Sequence, residues 1–156
     1  MRHMSRKTIK VKVFRFNPAK DKEPTYKTYE VPKLSHDEAQ AKVSIMGEHR
    51  AQTILDVLEY IYQNLDHTLS YYATCRRGEC RACGVLVNGK AILSCLAKAS
   101  VRVDAKGEMT IEPLPNIQVV KDLIVKRYSD RELFSNARTR ALNLLKESYK
   151  QARSVE

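Results

Sequence analysis

Residues 8–16 alternate between apolar and polar, with Ile9, Val11 and Val13 on one face and Lys10 and Lys12 on the other. That period of two predicts a half-buried strand, closed by Asn17-Pro18. Lys27 to Val31 predicts a second strand, hairpin-paired to the first, with Pro32 ending it. Residues 33–52 are polar, and Ser35 followed three residues on by Glu38 signals the start of a short helix. The period then changes. From Thr53 to Leu65, Ile54, Val57, Leu58, Ile61 and Leu65 fall on one helical face. Thr53 is suited to cap that helix, and Asp56 suits its first turn. Cys83 to Val87 is apolar and β-branched, and Asn88-Gly89 is a strong hairpin signal. Lys90 to Leu96 returns as the next strand and carries Cys95. Met109 to Glu112 is one more short strand, stopped by Pro113 and Pro115. Ser129 with Glu132 is a second capping box. Beyond it Leu133, Phe134, Ala137, Ala141, Leu144, Leu145, Ser148 and Ala152 make an apolar stripe of about six turns. A stripe of that length packs back on its own domain or reaches a partner.

The chain has 156 residues, enough for one ordinary domain and an extension. It contains no apolar run of membrane-spanning length. Its net charge of +10 suits an acidic partner, an anionic membrane surface or nucleic acid. No nucleic-acid-binding motif accompanies the charge, so nucleic acid is not expected as a partner, and a solvated basic surface accounts for most of the lysines. The basic start, Met1 to Ser5, reads as a native start, a tag remnant or the residue of a targeting segment.

All four cysteines fall within one short stretch: Cys75, Cys80, Cys83 and Cys95. The spacing C-x4-C-x2-C with a later fourth Cys is the plant-type ligand pattern of a [2Fe–2S] cluster. Thiolates ligate metal, and four of them concentrate negative charge that needs nearby donors. A loop from Cys75 to Cys83 turns free backbone N–H groups towards the sulfurs, and Gly78 tolerates the backbone that this demands. Arg76, Arg77 and Arg81 add positive charge, which tunes potential. The hairpin brings Cys95 back beside the other three. Two alternatives stand beside the cluster. Structural zinc also takes four cysteines, usually as two short knuckles. Disulfides need an oxidising compartment, and no secretory signal is seen. Strands, one crossing helix and a cluster loop together predict an α+β, β-grasp ferredoxin domain of plant type with an added C-terminal amphipathic helix.

With these motifs in order, the chain resembles the N-terminal half of the iron–sulfur subunit of succinate dehydrogenase and fumarate reductase (respiratory complex II). The resemblance covers about residues 8–128. Phe14-Arg-Phe-Asn-Pro18 with Tyr26 to Pro32 is similar to the family's opening hairpin, and Ile54 to Leu58 to its helix before the cluster. Cys75-Arg-x-Gly-x-Cys80-x-x-Cys83, Asn88-Gly89 and a close Cys95 have the family's ligand spacing. Ile111 to Asn116 with Val119 to Leu123 is similar to the segment that closes the domain. The departures are an insertion-like stretch at 35–50, Arg81 where the family usually has Gly, and no cysteine after Cys95 for the family's second, bacterial-ferredoxin-like domain.

The resemblance implies a non-catalytic electron-transfer subunit. A FAD-containing flavoprotein subunit oxidises succinate by a two-electron hydride step. The [2Fe–2S] cluster, held by Cys75, Cys80, Cys83 and Cys95, then takes electrons singly towards further clusters and quinone. No residue is assigned a catalytic role. Arg76, Arg77 and Arg81 then lie near the flavoprotein, or form a solvated loop that only tunes potential. Such a carrier needs a midpoint well above the plant-type value of about −400 mV. The expected organisation is an N-terminal extension at 1–7, a ferredoxin domain at 8–128, and a helical extension at 129–156 for docking. The resemblance further implies a separate chain bearing [4Fe–4S] and [3Fe–4S] clusters, as in the split subunits of some protists, with membrane anchor subunits as indirect partners. The place implied is the matrix side of the mitochondrial inner membrane or the cytoplasmic face of a bacterial membrane. The competing functions are a free-standing [2Fe–2S] ferredoxin, a small electron-transfer subunit of another flavin dehydrogenase or of fumarate reductase, and a zinc adaptor module.

Overall fold

The computed structural model of the chain describes residues 8–33 and 52–127. The helix expected from Ser35 and the tail helix from Ser129 lie outside the described residues.

Strand β1 (Thr8–Arg15) buries Ile9, Val11 and Val13, as the alternation requires. It pairs antiparallel with β2 (Thr25–Pro32), with Val11 opposite Tyr29 and Ile9 opposite Val31. Helix α1 (Ile54–Tyr60) starts at a true capping box. The Thr53 hydroxyl accepts the Asp56 N–H, and the Asp56 carboxylate accepts the Thr53 N–H. Two further N–H groups of its first turn donate to the segment around Cys95: Ile54 to the Ala97 carbonyl and Leu55 to the Ser94 carbonyl, each at 2.9 Å. Helix start and fourth cysteine are thereby one assembly.

The helix continues into a π-type turn at Ile61–Leu65. That turn is wider than an α-turn, so it takes the stripe out of phase. Ile61 stays buried but Leu65 is exposed, contrary to the apolar face read from Ile54 to Leu65.

Strands β3 (Gly84–Val87) and β4 (Lys90–Leu93) form the hairpin around Asn88-Gly89. Both turn residues have positive φ, 49° and 76°, which this turn type demands. Strand β4 stops before Ser94, so Cys95 sits in the turn that follows it and not on the expected strand. Strand β5 (Glu108–Glu112) enters the sheet's middle, parallel to β1 and antiparallel to β3. The five-stranded order is β2-β1-β5-β3-β4. The two short strands β6 (Val119–Lys121) and β7 (Ile124–Val125) form a separate small hairpin.

The main core lies between the sheet and α1, with Val11, Val13, Ile54, Leu58, Ile61 and Ile111 at its centre. A second, smaller apolar cluster joins Leu55 to Cys83 and Cys95. Burying a side chain of Leu or Ile size contributes about 1.5–3 kcal/mol, so Leu55 fastens the helix to the cysteine region.

Candidate metal centre

The loop Cys75–Cys83 has no regular structure, and three of its residues are left-handed: Arg76 (φ 59°), Gly78 (φ 82°) and Arg81 (φ 54°). Alternating right- and left-handed residues turn successive N–H groups to one side, forming a concave set of donors. The donors face sulfur. Cys75 Sγ accepts the N–H of Arg77 at 3.5 Å and of Cys80 at 3.3 Å, and Cys80 Sγ accepts the N–H of Ala82 at 3.4 Å. Gly78 N–H supports Cys95, and Cys95 N–H supports Cys83.

A Cβ on Gly78 would come within 2.5 Å of Leu96 Cδ1, so Leu96 lies directly over the loop. The left-handed φ at Arg81 explains why glycine suits that position and why arginine there carries backbone strain.

The four thiols fall into two pairs. The half-buried Cys75 and Cys80 neighbour one another, as do the buried Cys83 and Cys95, and Cys75 is near enough to act on Cys95 as well. The N–H groups of Cys80 and Arg77 pull the Cys75 thiol down to about 6, so it is largely thiolate at neutral pH. Burial pushes Cys95 up to about 11, with the neighbouring Cys83 adding to the effect. At Cys83 burial acts upward but is outweighed by the Cys95 N–H and the Ser94 hydroxyl, so this thiol lies below its ordinary value. In each pair, one thiol is thus held below its ordinary value.

Among the described residues no three Cys, His, Asp or Glu side chains converge on a point close enough to hold a single ion. A two-iron cluster does not ask for that, because its four thiolates are divided between two metals. Soft thiolates in two pairs, ringed by N–H donors, fit such a cluster.

The arginines are less available than the sequence implies. Arg76 makes a two-pronged ion pair with Glu59 of α1, both contacts at 2.9 Å. Arg77 pairs with Glu79 at 2.9 Å on the surface. Arg81 is exposed.

Sequence reasoning missed a second polar centre. Arg15 Nε donates to Asp122 at 3.1 Å, while its other nitrogens donate to Asp66 and Tyr29 at 2.7 Å and to Thr68 at 2.8 Å. Asp122 also accepts the N–H groups of Phe16 and Ser70, and Asp66 accepts from Lys27, Tyr29 and Thr68. This hub fixes residues 66–70, the start of the approach to Cys75. Ser94, adjoining two of the thiols, was also missed.

A family model described as the 2Fe-2S iron-sulfur cluster binding domain matches residues 10–132. The chain belongs to this family. The 2Fe-2S domain holds a [2Fe–2S] cluster, and the zinc and disulfide alternatives fall away. It is 38% identical over 117 residues to the fumarate reductase iron-sulfur subunit of Haemophilus influenzae, covering 75% of this chain and 39% of that protein. It is 34% identical over 118 residues to the subunit of the same name from Mycobacterium tuberculosis, covering 75% and 40%. The likeness to iron–sulfur subunits of complex II type, read from the motifs, is thereby borne out. The chain spans about two fifths of the length of these relatives. Among solved structures it is similar to the Mycobacterium smegmatis Sdh1 complex in the apo form, with a TM-score of 0.58, 20% identity, and coverage of 78% of this chain and 43% of that one. That likeness supports the ferredoxin-like fold.

Proposed function

We propose that this chain is the [2Fe–2S] electron-transfer part of a complex II-type assembly, of succinate dehydrogenase or fumarate reductase class. In this reading Cys75 and Cys80 hold one iron, and Cys83 and Cys95 hold the other. The observation that carries the ligand assignment is the pairing of the thiols inside a ring of backbone donors. The assignment to complex II is supported by the similarity to fumarate reductase iron–sulfur subunits across the whole ferredoxin-like region.

When bound, the cluster supplies one-electron storage, so a two-electron donor can be drained in single steps. The protein's own groups do the rest. The loop N–H groups stabilise thiolate charge without adding a proton that would leave with each electron. Leu55 packs against Cys83 and Cys95, and Leu96 lies against Gly78 of the loop. The Glu59 pair holds Arg76 against α1, so the positive charge offered to a flavoprotein comes mainly from Arg81.

The proposed donor is a FAD-containing subunit. The proposed acceptor is a module bearing [4Fe–4S] and [3Fe–4S] clusters, with membrane anchor subunits beyond it. Among the described residues no helix is long and apolar enough to cross a membrane, so the proposed association is peripheral. The relatives compared are bacterial and favour the cytoplasmic face of a bacterial membrane over the mitochondrial matrix side.

The test is affinity isolation of the chain from gently solubilised native membranes, with mass spectrometry of what accompanies it. A flavoprotein together with a chain rich in C-x-x-C motifs is expected. Recovery alone in the soluble fraction would replace this reading with a mobile ferredoxin.

A further inference from the structure

Ser94 precedes Cys95 and faces Cys83. Its N–H donates to the Cys83 carbonyl at 3.1 Å, and its carbonyl accepts the Leu55 N–H at 2.9 Å. Both backbone groups are therefore engaged, and the residue is fixed between the start of β3 and the start of α1. Its side chain is 1% exposed. Its hydroxyl is the one buried side-chain oxygen or nitrogen among the described residues without a hydrogen-bond partner. Folded proteins rarely bury a hydroxyl unpaired, and a native exception calls for an explanation such as a missing ion or a redox role. The residues Ser94 is bonded to belong to a small cluster of apolar carbon and thiol sulfur: Leu55, Cys83 and Cys95. The side-chain acceptors among these residues are sulfurs. Of the two thiols, Cys83 belongs to the residue whose carbonyl the Ser94 N–H already holds.

We propose that Ser94 sets the reduction potential of the centre, its hydroxyl donating to the Cys83 sulfur once that sulfur is a metal-bound thiolate. Reduction adds negative charge to the ligand sulfurs, so a donor fixed on one of them strengthens in the reduced state. Hydrogen bonds to cluster sulfurs are an established lever on such potentials. Ser94 therefore raises the midpoint. It acts through Cys83 and is a positioning residue. The inference rests on the reading of Cys83 as a ligand.

The test is an EPR-monitored redox titration of the cluster-loaded full chain, comparing wild type with Ser94→Ala and Ser94→Thr. Ser94→Ala is expected to keep its cluster signal with a lower midpoint, and Ser94→Thr to restore the wild-type value. Resonance Raman should show the Fe–S(Cys) stretching bands of Ser94→Ala moved to higher frequency as the donor is lost. If Ser94→Ala fails to retain its cluster, Ser94→Gly, which also lacks the hydroxyl, is read in the same way. A wild-type midpoint in a hydroxyl-free variant with an intact cluster overturns the proposal, as does an equal drop in Ser94→Thr. Failure of the underlying reading looks different, because Cys83→Ala would then keep the wild-type cluster spectrum.

Discussion

Two polar centres organise this domain, and they are built on opposite principles. Around Arg15 the charges and donors answer one another: a guanidinium set between two carboxylates, with Thr68, Tyr29 and backbone N–H groups completing the set. In the cysteine loop the donors converge on sulfurs that offer no comparable return, and a buried hydroxyl is left over. The Arg15 hub is complete with protein atoms alone. The cysteine loop is shaped around something the polypeptide does not supply. Buried polar groups that are satisfied hold structure together, and those left wanting point to function.

Breaking the loop should have the largest effect. Cys80→Ala removes half of one thiol pair and should abolish the visible absorption and reduced-state EPR signal of the cluster altogether. A retained signal would mean that the pairing of sulfurs is incidental. Next comes the hub. Asp122→Ala leaves Arg15 facing a lost carboxylate and orphans the N–H groups of Phe16 and Ser70, so urea unfolding should show a loss of about 3–5 kcal/mol. The midpoint of the molecules still folded should stay at the wild-type value. A shift in potential instead of stability would erase the distinction between the centres.

Asp66 sharpens it through pH. Burial acts to raise this carboxyl, but hydrogen bonds from Lys27, Thr68 and Tyr29 outweigh it and hold it well below the usual carboxylate range. Its folded value is lower than its unfolded value of about 4. Its stabilisation is therefore complete above that pH and lost as pH falls towards the folded value. Asp66→Asn should cost about 1.5–3 kcal/mol near neutrality, and the gap from wild type should narrow below about pH 4 in denaturant titrations. A gap independent of pH would remove Asp66 from the hub's charge balance. Cluster loss in acid affects both proteins, so the difference between them isolates Asp66.

The smallest effect is expected at Gly78. Alanine there must hold a φ of 82°, at a cost of about 1–2 kcal/mol. Leu96 Cδ1 is the end of an exposed side chain and can swing aside. The strain falls on the loop, so Gly78→Ala should lose its cluster faster under chelator, with a urea midpoint lowered by no more than that strain accounts for.

Features with a short sequence period were legible. The alternation at Ile9, Val11 and Val13, the Thr53 cap and the Asn88-Gly89 turn all depend on neighbours within a few residues. The cysteine spacing was legible because one loop supplies three thiols. Leu65 was misread because a π-type turn shifts the helical phase without altering the apolar pattern. Cys95 was assigned to a strand because apolar character continues past Leu93, where the ladder ends. Strands β6 and β7 are too short to show a period. The hub was invisible because its bonds join Arg15 to residues 51 and 107 positions away, and no local signal announces such partners. Ser94 gave no sign of its burial, since that depends on Leu55 and Cys83 arriving from other elements.

The parallel pairing of β1 with β5 sets Lys10 beside Glu108, with all four cysteines between them in the chain. During synthesis the first strand must wait for the fifth, which leaves the ribosome several seconds later at about 5–20 residues per second. In the last part of that interval the thiols have been made and the sheet still lacks its middle strand. The nascent domain thus passes through a stage in which its metal-binding groups are reachable and its core is not yet closed. Iron delivery and protection from oxidation both have to be managed within that stage or after it.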